Sequence, residues 1–353
     1  MKNIKNIKIG KNKIGSGRAF IVAEISANHA GNINIAKKLI FKAKKAGADA
    51  VKIQTYTADS ITLKSTKKDF IINRQAGKAW KRYNNLYKLY KLGQTPNEWH
   101  VPLFKYAKKL KIDIFSSPFD EKAVDLLESL GCIAYKIASP EITHFPLLKK
   151  VAETGKPVII SSGVSFVKDI IEAVNYLKKN GCKKICILKC DSNYPSTLKV
   201  SNLSSIQYLK KKFNVPVGFS DHTIGNEAAL ISILFGGCLI EKHFNIKGNK
   251  SLDGFFSSNE DEFKSMVNSI RILENDIKKN KYFISNAAIS NRSSMRSIYI
   301  SKNVKKNEIV TDKNIRIVRP GFGMHPKFYF KVLGKRFKKR YNYGDRLSKG
   351  KLK

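Results

Sequence analysis

Two of the six histidines, His222 and His243, each close an apolar run, and they stand 21 residues apart. The runs read Val215-Pro-Val-Gly-Phe-Ser-Asp-His222 and Cys238-Leu-Ile-Glu-Lys-His-Phe244. As strands of one parallel sheet they would bring two imidazoles side by side at the carboxyl edge, where such folds place their ligand sites. Imidazole is the commonest protein ligand for a divalent metal, so the pattern predicts a metal-assisted active site. Nitrogen donors with carboxylate or water suit manganese, cobalt, zinc or iron, and donor type alone does not choose among them. The plainer alternative is a pair of buried, hydrogen-bonded histidines.

Polar side chains gather at the ends of the other apolar runs as well. Glu24 follows one; Lys52 and Gln54 another; Ser116 and Ser117 a third; Lys136, Ser139 and Glu141 a fourth. Ser161 and Ser162, then Lys189, Ser192 and Tyr194, follow two more, and Ser220, Asp221, Glu241 and Lys242 accompany the histidines. Lysines and serines converging on one mouth make a cradle for phosphate or carboxylate. Glu24 and Glu141 could move protons or stabilise developing positive charge. Singly, any of these could cap a helix or fill a polar barrel layer.

The elements that must position them alternate from end to end. Short β-branched runs at Phe20–Glu24, Ala50–Gln54, Ile112–Ser116, Ala134–Ala138, Val158–Ser161, Ile185–Lys189, Val215–Phe219 and Cys238–Lys242 are separated by helical patterns. Eight βα units predict a closed (β/α)8 TIM barrel of the α/β class. Asp120, Ser165 and Asn226 are expected N-caps, and Gly47 and Gly131 C-terminal stops. Thr55–Leu92 is a long loop rich in tyrosine and lysine, of the kind that shapes a substrate mouth. The barrel domain is expected over residues 1–280, with a linker at 281–290. A small domain of short strands and turns follows at 291–353 and ends in a basic tail.

Composition narrows the function classes. A formal charge of +40 attracts anions. Yet only 11 of 67 basic residues are arginine, the better fork for phosphate and base edges, so no specific nucleic-acid partner is expected. A non-catalytic, basic nucleic-acid-binding barrel remains the rival from another class. Five cysteines, an odd number, argue for a reducing compartment, and Cys186 and Cys190 read as core residues of a strand rather than as zinc ligands. No apolar run approaches the length of a membrane span, and a cytoplasmic location is expected. Gly321-Phe-Gly323 is too weak for a nucleotide loop.

Several ordered motifs resemble the nonulosonic acid synthases, the family of sialic, legionaminic and pseudaminic acid synthases. They are Ala23-Glu-Ile-Ser-Ala-Asn-His-Ala-Gly31, Lys52-Ile-Gln54, Ser116-Ser-Pro-Phe119, Tyr135-Lys-Ile-Ala-Ser139, Ser220-Asp-His222 and Glu241-Lys-His243. Ala27–Gly31, Thr55–Leu63 and Met324-His-Pro-Lys-Phe328 resemble the pseudaminic branch most, with the N-acetylneuraminate and legionaminic branches as alternatives. The segment containing Arg319-Pro-Gly-Phe-Gly323 is similar to the antifreeze-like (SAF, β-clip) domain of the family.

The resemblance implies metal-assisted condensation of phosphoenolpyruvate with an amino-sugar aldehyde, 2,4-diacetamido-2,4,6-trideoxy-L-altrose on the pseudaminic branch. C–O cleavage would release phosphate and give a nine-carbon 2-keto acid. The metal implied is manganese, with cobalt or magnesium as alternatives, held by His222 and His243. Glu24 and Glu141 are the implied catalytic carboxylates. Lys52, Lys136, Ser139, Ser161 and Ser192 are implied for phosphoenolpyruvate, although the family's sialic branch tends to asparagine where Ser192 stands. Gln54, Ser116, Ser220, Tyr194 and Asp253 complete the implied substrate contacts. Arg319 is implied to reach a partner's barrel in a domain-swapped homodimer. A lysine-based Schiff-base aldolase, which needs no metal, is the rival among enzymes.

Overall fold

The computed structural model describes residues 4–72, 78–278 and 281–353. The expected boundary at residue 280, and residues 73–77 of the expected mouth loop, lie outside the described residues. The chain divides into two compact units, Met1–Lys279 and Asn280–Lys353.

The first unit opens with an antiparallel hairpin, β1 (Ile7–Ile9) and β2 (Asn12–Ile14), whose Ile7, Ile9 and Ile14 are buried. Its signal is a short alternation of isoleucine with lysine and asparagine around Gly10. Eight parallel strands then close into a barrel: β3 (Phe20–Glu24), β4 (Ala50–Thr55), β5 (Asp113–Pro118), β6 (Tyr135–Ile137), β7 (Val158–Ser161), β8 (Ile185–Cys190), β9 (Val217–Asp221) and β10 (Leu239–His243). The expected TIM barrel is present. β10 pairs with both β3 and β9, which closes the ring.

The strands read as near-continuous apolar runs because both faces are covered, by side chains within and helices without. Val158–Ile160 and Ile185–Leu188 are almost wholly inaccessible. The helices dock through 3.6-period stripes, for example Ile170, Ala173, Val174 and Leu177 of the helix Val167–Lys179. Gly47 and Gly131 take left-handed φ values of +92° and +70° just beyond the helices Ile33–Lys45 and Glu121–Ser129, the conformation glycine adopts without steric penalty. Asp120 caps its helix through Ala123 N. Ser165 does not cap, because Phe166 occupies the N-cap position of the following helix, and the side chain of Asn226 makes no capping bond.

The last two barrel strands run further than their apolar residues suggested. β9 starts after Pro216 and ends at Asp221, and β10 ends on His243 itself. Proline has no N–H for the ladder, which delays the start of β9.

The second unit has its own small core, built from Ile298, Ile300, Val304, Val310, Ile315, Phe337 and Leu347. A two-stranded sheet pairs β11 (Ser297–Ile300) with β12 (Ile315–Val318). Outside that sheet, Ile309 makes an isolated antiparallel bridge with Arg336.

Candidate active site

A cavity of about 840 Å3 opens at the carboxyl edge of the barrel. Lys52, Lys136, Ser161, Ser220, Glu241 and His243 line it from five different strands, and His222 lines it from just beyond β9. Register does the gathering: His243 lies opposite Glu24, and Glu24 opposite Lys52.

Two lysines and two glutamates form a buried charge network at its floor. Lys52 pairs with Glu24 and stands 3.7 Å from Glu241, while Lys136 stands 3.1 Å from the other Glu241 oxygen. Ser220 donates to Glu241 at 3.2 Å and Lys52 donates to Ser117 at 3.1 Å. Burial works against charge on Glu241, yet Lys136 and Lys52 outweigh it and hold the carboxyl down at about 2. Burial likewise opposes charge on Lys52, and Glu24 and Glu241 raise it. One oxygen each of Glu24 and Glu241 is buried with Lys52 as its ion-pair partner, and the Ser161 hydroxyl is buried without a hydrogen-bond partner among the described residues. Buried polar atoms are nearly always satisfied, so the Ser161 hydroxyl points to a polar ligand.

The imidazole rings of His222 and His243 stand 5.4 Å apart between centroids. His222 Nδ1 lies 2.7 Å from the Asp191 carbonyl, to which it can only donate. His243 Nδ1 lies 3.2 Å from the Ser26 hydroxyl. Both Nδ1 atoms are thus engaged, and among the described residues no hydrogen bond reaches Nε2 of either ring, as a ligating histidine requires. Among the described residues no group of three or more His, Cys, Asp or Glu side chains is placed to hold a metal. The two imidazole nitrogens are a donor set suited to a divalent cation whose remaining positions are left for substrate and water. Tyr194 packs 4.3 Å from His222, and Phe256 4.6 Å from His243, between ring centroids.

The remaining expected residues divide. Ser139 and Ser192 line the cavity on either side of Gly163, where a Cβ would sit 3.0 Å from Ser139 Oγ and collide with Ser192 Oγ. Ser139 accepts from Val164 N at 2.6 Å. Gln54 and Tyr194 line the cavity too. Burial raises the Glu141 carboxyl to about 7, and one of its oxygens is also unpartnered. Asp253 lines an adjoining recess of about 270 Å3 with Trp80 and His243.

Ser116 is a correction. Its hydroxyl donates to Ile53 O and pairs with Thr55, which contacts His100, so it faces the helical layer. Ser117 lines the cavity instead, because alternate residues of a strand point to opposite faces. Lys242 also points away from the cavity: it is fully buried and bonds Asp221 at 2.7 Å and Thr223 O at 2.7 Å. Lys189 donates to its own neighbour Cys190 O. Arg319 belongs to the second unit.

Ser26, Trp80 and Phe256 were not singled out in the sequence; Ser117 was named beside Ser116, and Cys190, read as a core residue of its strand, also lines the cavity. Trp80 stacks edge-on with Tyr194 at 5.6 Å, and a tryptophan inside a long polar loop was its available signal.

Comparison with known proteins adds an independent line. The model of the NeuB family matches residues 39–282. A pseudaminic acid synthase of Campylobacter jejuni subsp. jejuni serotype O:2 is 43% identical over 334 residues, covering 94% of this chain and 96% of that protein. An N,N'-diacetyllegionaminic acid synthase of the same organism is 36% identical, covering 92% and 97%. The crystal structure of N-acetylneuraminic acid (sialic acid) synthetase from Leptospira borgpetersenii serovar Hardjo-bovis superposes with a TM-score of 0.69 at 29% identity, covering 82% of this chain and 97% of that one.

Proposed function

The chain belongs to the NeuB family, and from that premise we propose that it condenses phosphoenolpyruvate with 2,4-diacetamido-2,4,6-trideoxy-L-altrose, as pseudaminic acid synthases do. The observation that carries the chemistry is the juxtaposition of buried lysines and serines with two imidazoles whose Nε2 atoms are free. The branch assignment rests on 43% identity to a pseudaminic acid synthase against 36% to a legionaminic acid synthase over similar spans.

In the reaction, C3 of phosphoenolpyruvate forms a bond to the sugar's aldehyde carbon, and the aldehyde oxygen takes a proton to become a hydroxyl. Positive charge develops at C2. Water adds there, the C2–O bond breaks, and phosphate departs with its bridging oxygen. The products are a nine-carbon 2-keto acid and phosphate.

Lys52 and Lys136 supply positive charge for the phosphate and carboxylate, with Ser139, Ser161 and Ser192 as hydrogen-bonding groups. The partnerless Ser161 hydroxyl and the Gly163 gap support that assignment. His222 and His243 would hold a divalent cation, which we take to be manganese; when bound it supplies Lewis-acid polarisation and orientation of the aldehyde. Glu141, as a carboxylate, stabilises the positive charge at C2. Glu24 lies between Lys52 and Ser26 N and is suited to hold or relay a proton at the sugar side. Gln54, Tyr194 and Asp253 are the sugar-side contacts. Bringing the two reactants together in one cavity lowers the entropic barrier, by up to ~7–11 kcal/mol in well-oriented systems.

We further propose that the second unit is an antifreeze-like domain. In this reading Arg319 contacts the acylamido group of the sugar bound by a partner subunit, within a homodimer.

Phosphate release from phosphoenolpyruvate, with manganese, tests the assignment. Release with the trideoxy-altrose sugar and none with N-acetylmannosamine supports it. Release with N-acetylmannosamine alone moves the chain to the sialic branch. Release that survives a chelator removes the metal from the scheme.

A further inference from the structure

Ser26 holds an unusual backbone at an unusual crossroads. It is buried, with φ of +35°, a conformation that L-residues with a side chain seldom adopt. Such backbone persists when the surroundings over-determine it, and it clusters at functional sites. Its N–H donates to Glu24 Oε1 at 2.7 Å. Its hydroxyl lies 2.5 Å from Asp253 Oδ2 and 3.2 Å from His243 Nδ1. Ala27 N, the next amide, also reaches Asp253 Oδ2, at 3.4 Å. One residue therefore touches a candidate metal ligand and two candidate carboxylates.

A serine hydroxyl carries one proton, so the two contacts cannot both receive it. The shorter, charge-assisted bond to a buried carboxylate takes the proton in preference to the longer one to a neutral ring. With the proton committed to Asp253, the Ser26 oxygen can only accept. The proton on His243 must then sit on Nδ1, and Nε2 is left as a bare lone pair. We infer that Ser26 is a positioning residue, which relays the Asp253 carboxylate to His243 and fixes the imidazole in the tautomer able to ligate through Nε2. This deepens the proposed function and rests on its reading of His243 as a ligand. It differs from the arrangement at His222, where a backbone carbonyl does the same work directly.

Two substitutions separate the hydroxyl from the backbone. Ser26→Gly removes the hydroxyl, keeps the N–H to Glu24 and fits a positive φ without strain. Ser26→Ala removes the hydroxyl and keeps the strain. The expected result is a Ser26→Gly protein that melts at or above the parent temperature while binding manganese about 10-fold or more weakly, the usual loss when a ligand's supporting partner is removed. The second readout needs no metal. Long-range 15N–1H spectra of the metal-free parent should show His243 protonated on Nδ1, and Ser26→Gly and Ser26→Ala should both gain the Nε2–H form. A parent protonated on Nε2, or a Ser26→Gly protein with an unchanged tautomer and a manganese affinity within twofold of the parent, would overturn the inference. A parent that binds no manganese would count against the metal reading instead, and the tautomer signal would still decide the role of Ser26.

Discussion

Replacing Glu241 by glutamine tests the charge network at the cavity floor. The substitution keeps the shape and removes the negative charge that faces Lys136 at 3.1 Å and Lys52 at 3.7 Å. Lys52 retains Glu24, but Lys136 loses the one carboxylate with which it forms an ion pair among the described residues. Each contact corresponds to ~5 kcal/mol of Coulomb energy at an effective dielectric of ~20, before desolvation. Breaking one side of a buried pair typically costs ~3–5 kcal/mol. In a domain of this size that corresponds to a fall of roughly 10 °C in melting temperature. The sign with pH is also fixed. Glu241 is held down at about 2, so its contribution is present above the ordinary glutamate range and is lost as pH falls through about 2.

The informative comparison is with and without phosphoenolpyruvate. If the lysines hold its anionic groups, saturating ligand returns negative charge to Lys136. It should then raise the melting temperature of Glu241→Gln several degrees more than that of the parent. The assay is thermal unfolding of both proteins across a phosphoenolpyruvate titration. Equal shifts for the two proteins, or a variant that melts within 2 °C of the parent without ligand, would refute the reasoning.

Glu141 gives a pH prediction. Because burial lifts its carboxyl to about 7, kcat/KM should rise with pH through an acid limb near 7 as the carboxylate forms, and Glu141→Gln should lose both the limb and most of the turnover. The same raised value means that folding binds a proton between about 4.5 and 7, so this group's contribution to stability declines as pH rises across that window. Gly163→Ala should lower kcat/KM for phosphoenolpyruvate, with a near-parental circular-dichroism spectrum, because the new methyl displaces Ser192 Oγ from the cavity wall. His222→Ala and His243→Ala should each abolish metal-dependent turnover with the fold intact; full activity in either removes that histidine from the mechanism. Trp80→Ala should raise KM for the sugar while leaving KM for phosphoenolpyruvate within about twofold, since Trp80 lies on the Tyr194 and Asp253 side of the cavity.

The barrel was legible because its signal is redundant. Eight apolar runs separated by helical stripes leave few alternatives, and His222 and His243 mark the functional edge by ending two of them. Strand ends were less legible: Pro216 delays β9, and polar residues such as Asp221 continue a ladder that hydrophobicity alone would end earlier. Facing was the hardest feature. Ser116 and Ser117 are adjacent and chemically identical, and only the register of β5 against β4 decides which one meets Lys52. Ser26 escaped notice for another reason. Its importance lies in a left-handed backbone and in partners more than 200 residues away, Asp253 and His243, and neither is encoded in local spacing. The formal charge of +40 pointed to anions in general, while the buried lysines at the cavity floor are only two of 67 basic residues.

The central claim is a carbon–carbon bond formed at the expense of the C2–O bond of phosphoenolpyruvate. Phosphoenolpyruvate labelled with 18O in the bridging position, incubated with manganese and 2,4-diacetamido-2,4,6-trideoxy-L-altrose, reads it directly by mass spectrometry. The account predicts a nine-carbon 2-keto acid and phosphate that retains the label. Unlabelled phosphate, or labelled phosphate without the nine-carbon acid, would contradict it.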